Sequence, residues 1–366
     1  MLGTALQALS HEFPRSAYQL LTKVGRYGLN AADFDYSRDA VRRSVRRSLR
    51  RLHTQYLDVV YVHDIEFVAS CVTPRAQGNH AAALGAEAAA YGLAEESSCE
   101  PDASGAHADT GKGTQDNVRT AGDDERVLEA ISALRELQAE GLIRHVGICG
   151  PSSFPSPSHS TLHSPAWTQT HRDPFEKSPI IGLPLPALLR TALHVLHRTG
   201  RPIDAVQTYA HLTLQNATLL PFAAALRARA RVALVTAASP LGMGLLVPPP
   251  RVAPVWHPAP DAVRAAAAEA ARAVAEAREG DDDVATVAVA WSVRAAMLGD
   301  VALTSGRMPV VIGMSDLREA HVAVRSWRWA REEGRREELE RKAALAQAVF
   351  EHTGTAGWTW TSGNWV

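Results

Sequence analysis

The stretch LDVVYVH, residues 57 to 63, is a short run rich in valine that ends on a single histidine. A run of that length reads as a strand, and its near-continuous apolar character fits one covered on both faces. Five more runs share the pattern: YQLLTKV (18 to 24), IRHVGIC (143 to 149), DAVQTYA (204 to 210), RVALVTAAS (231 to 239) and MPVVIGM (308 to 314). Between them apolar residues recur at three and four, as in Val41, Val45, Leu49 and Leu52, then Val127, Ile131, Leu134 and Leu137, then Leu188, Leu189, Leu193 and Leu196. Strands alternating with such helices predict βαβ units and a parallel α/β sheet.

Gly141 closes the second of these helices, and Gly200 with Arg201-Pro202 closes the third. DAVRAAAAEAARAVAEARE and VATVAVAWSVRAA read as two further helices. A charged segment from about Arg331 to Phe350 is expected as a last helix on the outside. Two segments break the rhythm: residues 76 to 125 are rich in Ala, Gly, Ser and Asp, and residues 151 to 186 are rich in Pro. Both are expected to be disordered insertions in one domain spanning residues 1 to 366. Each follows a strand, so each emerges at the C-terminal end of the sheet, where parallel barrels carry their active sites.

Lys and Arg total 38 against 39 Asp and Glu, a formal charge of -1, which leaves no overall footprint for nucleic acid or an anionic membrane. The arginines of RDAVRRSVRRSLRRL flank the apolar stripe of an ordinary amphipathic helix and read as its solvated face. Cys71, Cys99 and Cys149 form no CxxC and no zinc-type spacing, so no metal is expected and a reducing compartment is. With no leader pattern and no apolar run long enough to span a bilayer, the expected location is the cytoplasm.

Lys23 ends the first strand and His63 the second. In adjacent parallel strands their side chains reach the same rim, about 5 Å apart, and can share one small ligand. Gln207 adds an amide that donates and accepts at once, as gripping a carboxamide requires. SPLGMG (239 to 244), with Ser239 and Leu241, supplies permissive backbone after the fifth strand. GMSDLREA (313 to 320), with Gly313 and Ser315, opens a helix whose free amides suit an anion.

These residues lie within FPRSAYQLLTKVGRYG, SLRRLHTQYLDVVYVHDIEFV, ALRELQAEGLIRHVGICG, AVQTYAHLTLQN, ASPLGMGLL and VVIGMS. In that order they resemble the aldo-keto reductase superfamily, and within it the NAD-linked L-galactose and D-arabinose dehydrogenases. The resemblance implies a (β/α)8 TIM barrel, a nicotinamide dinucleotide across its mouth, and hydride transfer to or from a small sugar or other carbonyl substrate. It implies catalytic roles for Lys23 and His63, a grip on the nicotinamide amide by Gln207, and phosphate binding around Ser239, Leu241, Gly313 and Ser315. Relatives often carry a basic residue where Met314 stands, so NAD is expected, with NADP as the other choice. The family's catalytic Asp and Tyr lie in a D-T-S-x-x-Y-G type segment upstream of an LG-x-AL helix, and this chain starts at MLGTAL. The expectation is therefore a barrel without its first two strands, with weak turnover. Tyr27, in the loop just after Lys23, is the residue that could substitute for the family's tyrosine, and a non-catalytic nucleotide-binding or scaffold protein is the alternative.

Overall fold

The computed structural model describes residues 2–28, 33–65, 68–69, 73–75, 77–94, 121–150, 185–248, 257–277, 282–298 and 308–360. Its elements are α1 (Leu2–Ala8), β1 (Leu21–Val24), α2 (Arg38–Leu52), β2 (Leu57–His63), β3 (Gly78–Asn79), α3 (Ala121–Ala139), β4 (Ile143–Cys149), α4 (Leu185–Thr199), β5 (Ala205–Tyr209), α5 (Leu219–Ala228), β6 (Leu234–Ala238), α6 (Asp261–Glu276), α7 (Val284–Leu298), β7 (Val310–Val311), α8 (Leu317–Arg331), α9 (Arg336–His352) and β8 (Trp358–Thr359). All six predicted strands are present. They form one sheet in the order β1-β2-β4-β5-β6-β7, every neighbouring pair parallel. Strand order that follows chain order, with no switch point, is the sheet of a (β/α)8 barrel rather than of a doubly wound fold. Among the described residues β1 and β7 do not pair with each other, so the six strands make a curled half-barrel.

Alternation along each strand divides the core in two. Val24, Val60, Val62, Val146, Ile148 and Val206 face outward and share one cluster with Val41 and Val45 of α2, Leu134 of α3 and Leu189 of α4. Ser37 caps α2 by accepting from the Ala40 amide, and the left-handed His53 ends it. Facing inward, Val59, Tyr61, Cys149 and Ala205 form a smaller cluster that fills the barrel's axis. The Tyr61 ring lies across the backbone of Gly147 so closely that a Cβ there would stand 2.5 Å from the ring and 2.8 Å from the Ala205 carbonyl oxygen. Glycine at 147 is thus a requirement of close approach.

Asp58 locks β1 against β2. Its Oδ2 accepts from the Leu20 amide at 2.8 Å and pairs with Arg15 at 2.5 Å, while Arg15 and Arg144 each stack 3.9 Å from the Tyr56 ring.

The structure corrects two expectations. The composition of residues 76 to 125 predicts an unpacked insertion, yet residues 78 to 93 hold β3 and two 3-10 turns, and Ala83, Tyr91 and Leu93 are buried in the main core. Small residues and one aromatic suffice to pack without periodicity. Residues 95 to 120 and 151 to 184 lie outside the described residues. The charged last helix, α9, buries Leu339, Ala343, Ala346 and Phe350 in a cluster shared with α6 and α7. Lys342 is buried with them, 3.2 Å from Glu338 and 3.5 Å from Asp282. The chain then crosses to the rim: β8 pairs antiparallel with β3, and Gln215, beyond β5, donates to the Thr355 and Trp358 carbonyls at 2.7 and 3.1 Å.

Two outcomes follow from this packing. Gly147→Ala is expected to lower stability by about 1–3 kcal/mol, read as a reduced urea midpoint with an unchanged slope. Burial holds His80 at about 4 and His211 at about 3, against the ordinary 6.5. Below 6.5 the unfolded chain binds the protons that these buried rings refuse. Stability therefore falls with pH, by about 1.4 kcal/mol per unit for each ring down to its folded value. Urea midpoints measured between pH 6.5 and 4 should decline, and His80→Gln should flatten the decline.

Candidate active site

Register places the predicted residues together. Lys23 pairs with Tyr61 across β1 and β2, and alternation carries Lys23, Tyr61 and His63 to the same inner face. One row further along, His63 pairs with Cys149, Cys149 with Gln207 and Gln207 with Thr236. At about 4.8 Å per strand, His63 and Gln207 stand roughly 10 Å apart on one surface. Lys23 sits one row below, at the C-terminal end of the edge strand, half-buried. The Gln207 carboxamide is nearly buried and meets no hydrogen-bonding side chain among the described residues.

His63 is held from behind. Its Nε2 lies 3.0 Å from Asp64 Oδ1, and Asp64 Oδ2 lies 2.5 Å from Arg26 Nη1. The Tyr36 hydroxyl bonds the carbonyl oxygens of His63 at 2.5 Å and of Asp64 at 3.2 Å. Asp64 itself has a left-handed backbone, φ 52°, and a side chain with no solvent exposure. Left-handed Asp is tolerated because its short side chain can bond locally. Burial depresses the His63 pKa; the Asp64 carboxylate opposes that, and the charges of Lys23 and Arg26 add to it. The result is an imidazole that is neutral at neutral pH. For Asp64 burial works upward, but the bonds from His63 and Arg26 outweigh it, and its pKa ends below the ordinary carboxylate value.

Sequence reasoning passed over Arg26, Tyr36 and Asp64, although RYG follows Lys23-Val24-Gly25 and Asp64 follows His63 directly. A charge of each sign just beyond two adjacent strand ends was the available signal. Tyr27 turns the other way: with Arg43, Arg46, Arg47 and Arg50 it lines an outer cavity of about 410 Å³ along α2. The opposite flank of the helix is neutralised, since Arg38 and Arg42 pair with Glu136 and Glu140 of α3. Tyr209, also missed, lies in register with Ala238, one row above Gln207 on the inner face. Burial raises its phenol pKa, with Ser239 opposing.

At the far end of the sheet the turn after β6 runs through left-handed Ser239, Gly242, Met243 and Gly244. The Ser239 hydroxyl accepts from the Met243 amide at 3.0 Å, and Leu241 packs against the second core cluster. Gly313 has open space on its side-chain side. Ser315, at the start of α8, already meets an anion: its amide and hydroxyl donate to Glu319 Oε2 at 2.6 and 2.9 Å, and Asp316 caps the helix. Among the described residues no group of three His, Cys, Asp or Glu could hold a metal ion, and no helix is long and apolar enough to cross a membrane.

Comparison with known proteins follows the same lines. A model of the Aldo/keto reductase family matches residues 1–155. D-arabinose 1-dehydrogenase of Saccharomyces cerevisiae is 30% identical over 337 residues, covering 92% of this chain and 71% of that protein. L-galactose dehydrogenase of Arabidopsis thaliana is 27% identical over 320 residues, covering 87% of this chain and 66% of that protein. Among solved structures, the holo form of aldo-keto reductase AKR11C1 from Bacillus halodurans is 18% identical with a TM-score of 0.45, over 93% of this chain and 76% of that one.

Proposed function

The chain belongs to the aldo/keto reductase family, and from that membership we propose an NAD-linked oxidoreductase that moves a hydride between the nicotinamide and a sugar, with Lys23 and His63 as catalytic residues. What carries the reading is the shared inner face of Lys23, His63 and Gln207 on neighbouring strands. The fit to a nicotinamide is supported by the nearly buried Gln207 carboxamide, which has a donor and an acceptor to offer a ligand amide. Tyr209, in register with Ala238 one row above Gln207, offers an aromatic surface on the same inner face. Met314, exposed at the rim, brings no cation for an extra phosphate, which favours NAD over NADP. A bound dinucleotide supplies the hydride acceptor or donor.

The chain's own residues do the rest. In the dehydrogenation direction the unprotonated nitrogen of the neutral, largely buried His63 ring accepts a hydrogen bond from the sugar hydroxyl and so orients the substrate oxygen. The Lys23 ammonium stabilises negative charge that develops on that oxygen, an effect strengthened by exclusion of water. Gln207 fixes the carboxamide, and the turns at Ser239 and Leu241 and at Gly313 and Ser315 hold the phosphates. Glu319 competes for the Ser315 amide and must give way.

Among the described residues no ion pair joins Lys23 to a carboxylate, and the charges nearest it belong to Arg26 and the His63–Asp64 pair. That observation favours, as second reading, nucleotide binding without turnover. Calorimetry with NAD, and absorbance assays of this 366-residue chain with L-galactose and D-arabinose, separate the two. The expected outcome is NAD binding with measurable hydride transfer. Lys23→Met should lower that turnover about 10²- to 10⁴-fold, the usual worth of a group that stabilises or transfers charge at the reacting oxygen. Binding with no hydride transfer supports the second reading, and failure to bind NAD sinks both. Glu319→Gln should tighten NAD binding roughly two- to tenfold by unmasking the Ser315 amide; weaker binding would remove Ser315 from the phosphate site.

A further inference from the structure

Behind His63 stand three charged or polar groups, Asp64, Arg26 and Tyr36, to which the proposed function gives no role. Asp64 divides its two oxygens: Oδ1 faces His63 Nε2 at 3.0 Å, and Oδ2 faces Arg26 Nη1 at 2.5 Å. The side chains of His63, Asp64 and Arg26 are 13%, 0% and 12% exposed, so water does not compete for these bonds. Tyr36 already ties the loop beyond β1 to the end of β2 through both carbonyl oxygens. A buried acid on a left-handed backbone is a costly addition to a junction that is fastened without it.

We propose that Asp64 is the positioning residue of this site: held by Arg26, it accepts a hydrogen bond from Nε2–H of His63 and thereby fixes the imidazole in one tautomer and one orientation. The chemistry of the pair dictates the tautomer. A carboxylate bonded to a guanidinium can only accept, so the ring nitrogen that faces it carries the proton, and in a neutral imidazole the other nitrogen, Nδ1, is then the acceptor. Arg26 acts one step further out. It pins the carboxylate by a charge-assisted bond, and its own Nε is anchored on the Gly28 carbonyl oxygen at 3.0 Å. With its side chain fully buried, Asp64 acts only through His63. The inference deepens the reading of His63 as catalytic, and its kinetic part rests on that reading; its structural part does not.

The discriminating variant is Asp64→Asn, which keeps the shape, tolerates the left-handed backbone and leaves one oxygen for Arg26. The amide must then turn its NH2 toward His63, which reverses the bond: Nε2 becomes the acceptor and the proton moves to Nδ1. Proton–nitrogen correlation spectra of the full chain with nitrogen-15 histidine, assigned with His63→Gln, read the tautomer directly and need no turnover. Nε2–H is expected in the unmodified chain and Nδ1–H in Asp64→Asn. With turnover measured in parallel, kcat should fall about 10²- to 10⁴-fold, the scale of a misdirected acid-base group, while KM changes less than about threefold. An Nδ1–H ring in the unmodified chain overturns the proposal even if the variant fails to fold. So does an unchanged tautomer in the variant, or a reversed tautomer with kcat intact. Failure of the unmodified chain to bind NAD counts against the proposed function alone, because the tautomer is read without the dinucleotide.

Discussion

The parallel register between β1 and β2 is the constraint on which the site depends. Lys23 opposite Tyr61 puts Lys23 and His63 on the same face, and a slip of one residue would send the lysine into the helix layer. Asp58 enforces this register from below by binding the Leu20 amide and Arg15, and Tyr61, lying on Gly147, fixes the next one, between β2 and β4. The site is therefore a by-product of core packing. The same rows that fill the barrel axis with Tyr61 and Ala205 end, one step toward the rim, in His63 and Gln207.

Electrostatics at the rim follows from placing polar groups where the sheet runs out of apolar ones. A carboxylate as fully buried as Asp64 would be driven toward its neutral form, yet partners on both oxygens hold it ionised. Its neighbour His63 is kept neutral by the same burial, with Lys23 and Arg26 adding to the effect. Two titratable groups in contact are thus pushed to opposite outcomes, the condition under which a pair takes on distinct roles. At the other end of the sheet, where an anion is expected, the chain supplies its own: Glu319 occupies the Ser315 amide and hydroxyl. The two ends of the inner face hence differ in sign, with cations near β1 and a carboxylate at α8.

Much of the architecture was readable from short-range pattern. Strand β2 runs over LDVVYVH and β4 over IRHVGIC, because seven-residue runs rich in β-branched residues are short for a helix and suit a buried strand. The common inner face of Lys23 and His63 was readable as well, since each lies at the C-terminal end of an apolar run and adjacent parallel strands bring such ends to one rim. Arg26 and Asp64 were not, because their meaning lies in one salt bridge across 38 residues of sequence. Tyr209 was hidden by lying inside a run, and residues 78 to 93 by a composition that reads as unpacked although Tyr91 and Leu93 are buried. In α9 the charges of REELERK masked the stripe of Leu339, Ala343, Ala346 and Phe350.

By itself, then, the sequence determined the six strands of the parallel sheet, the α/β class and the polar residues near the strand ends, since these depend on periodicity and on neighbours a few positions away. Only the tertiary structure decided the register in which those residues stand, which charges meet, and which tyrosine turns inward. Register, burial and the low dielectric that couples Arg26, Asp64 and His63 exist only once distant segments are packed together.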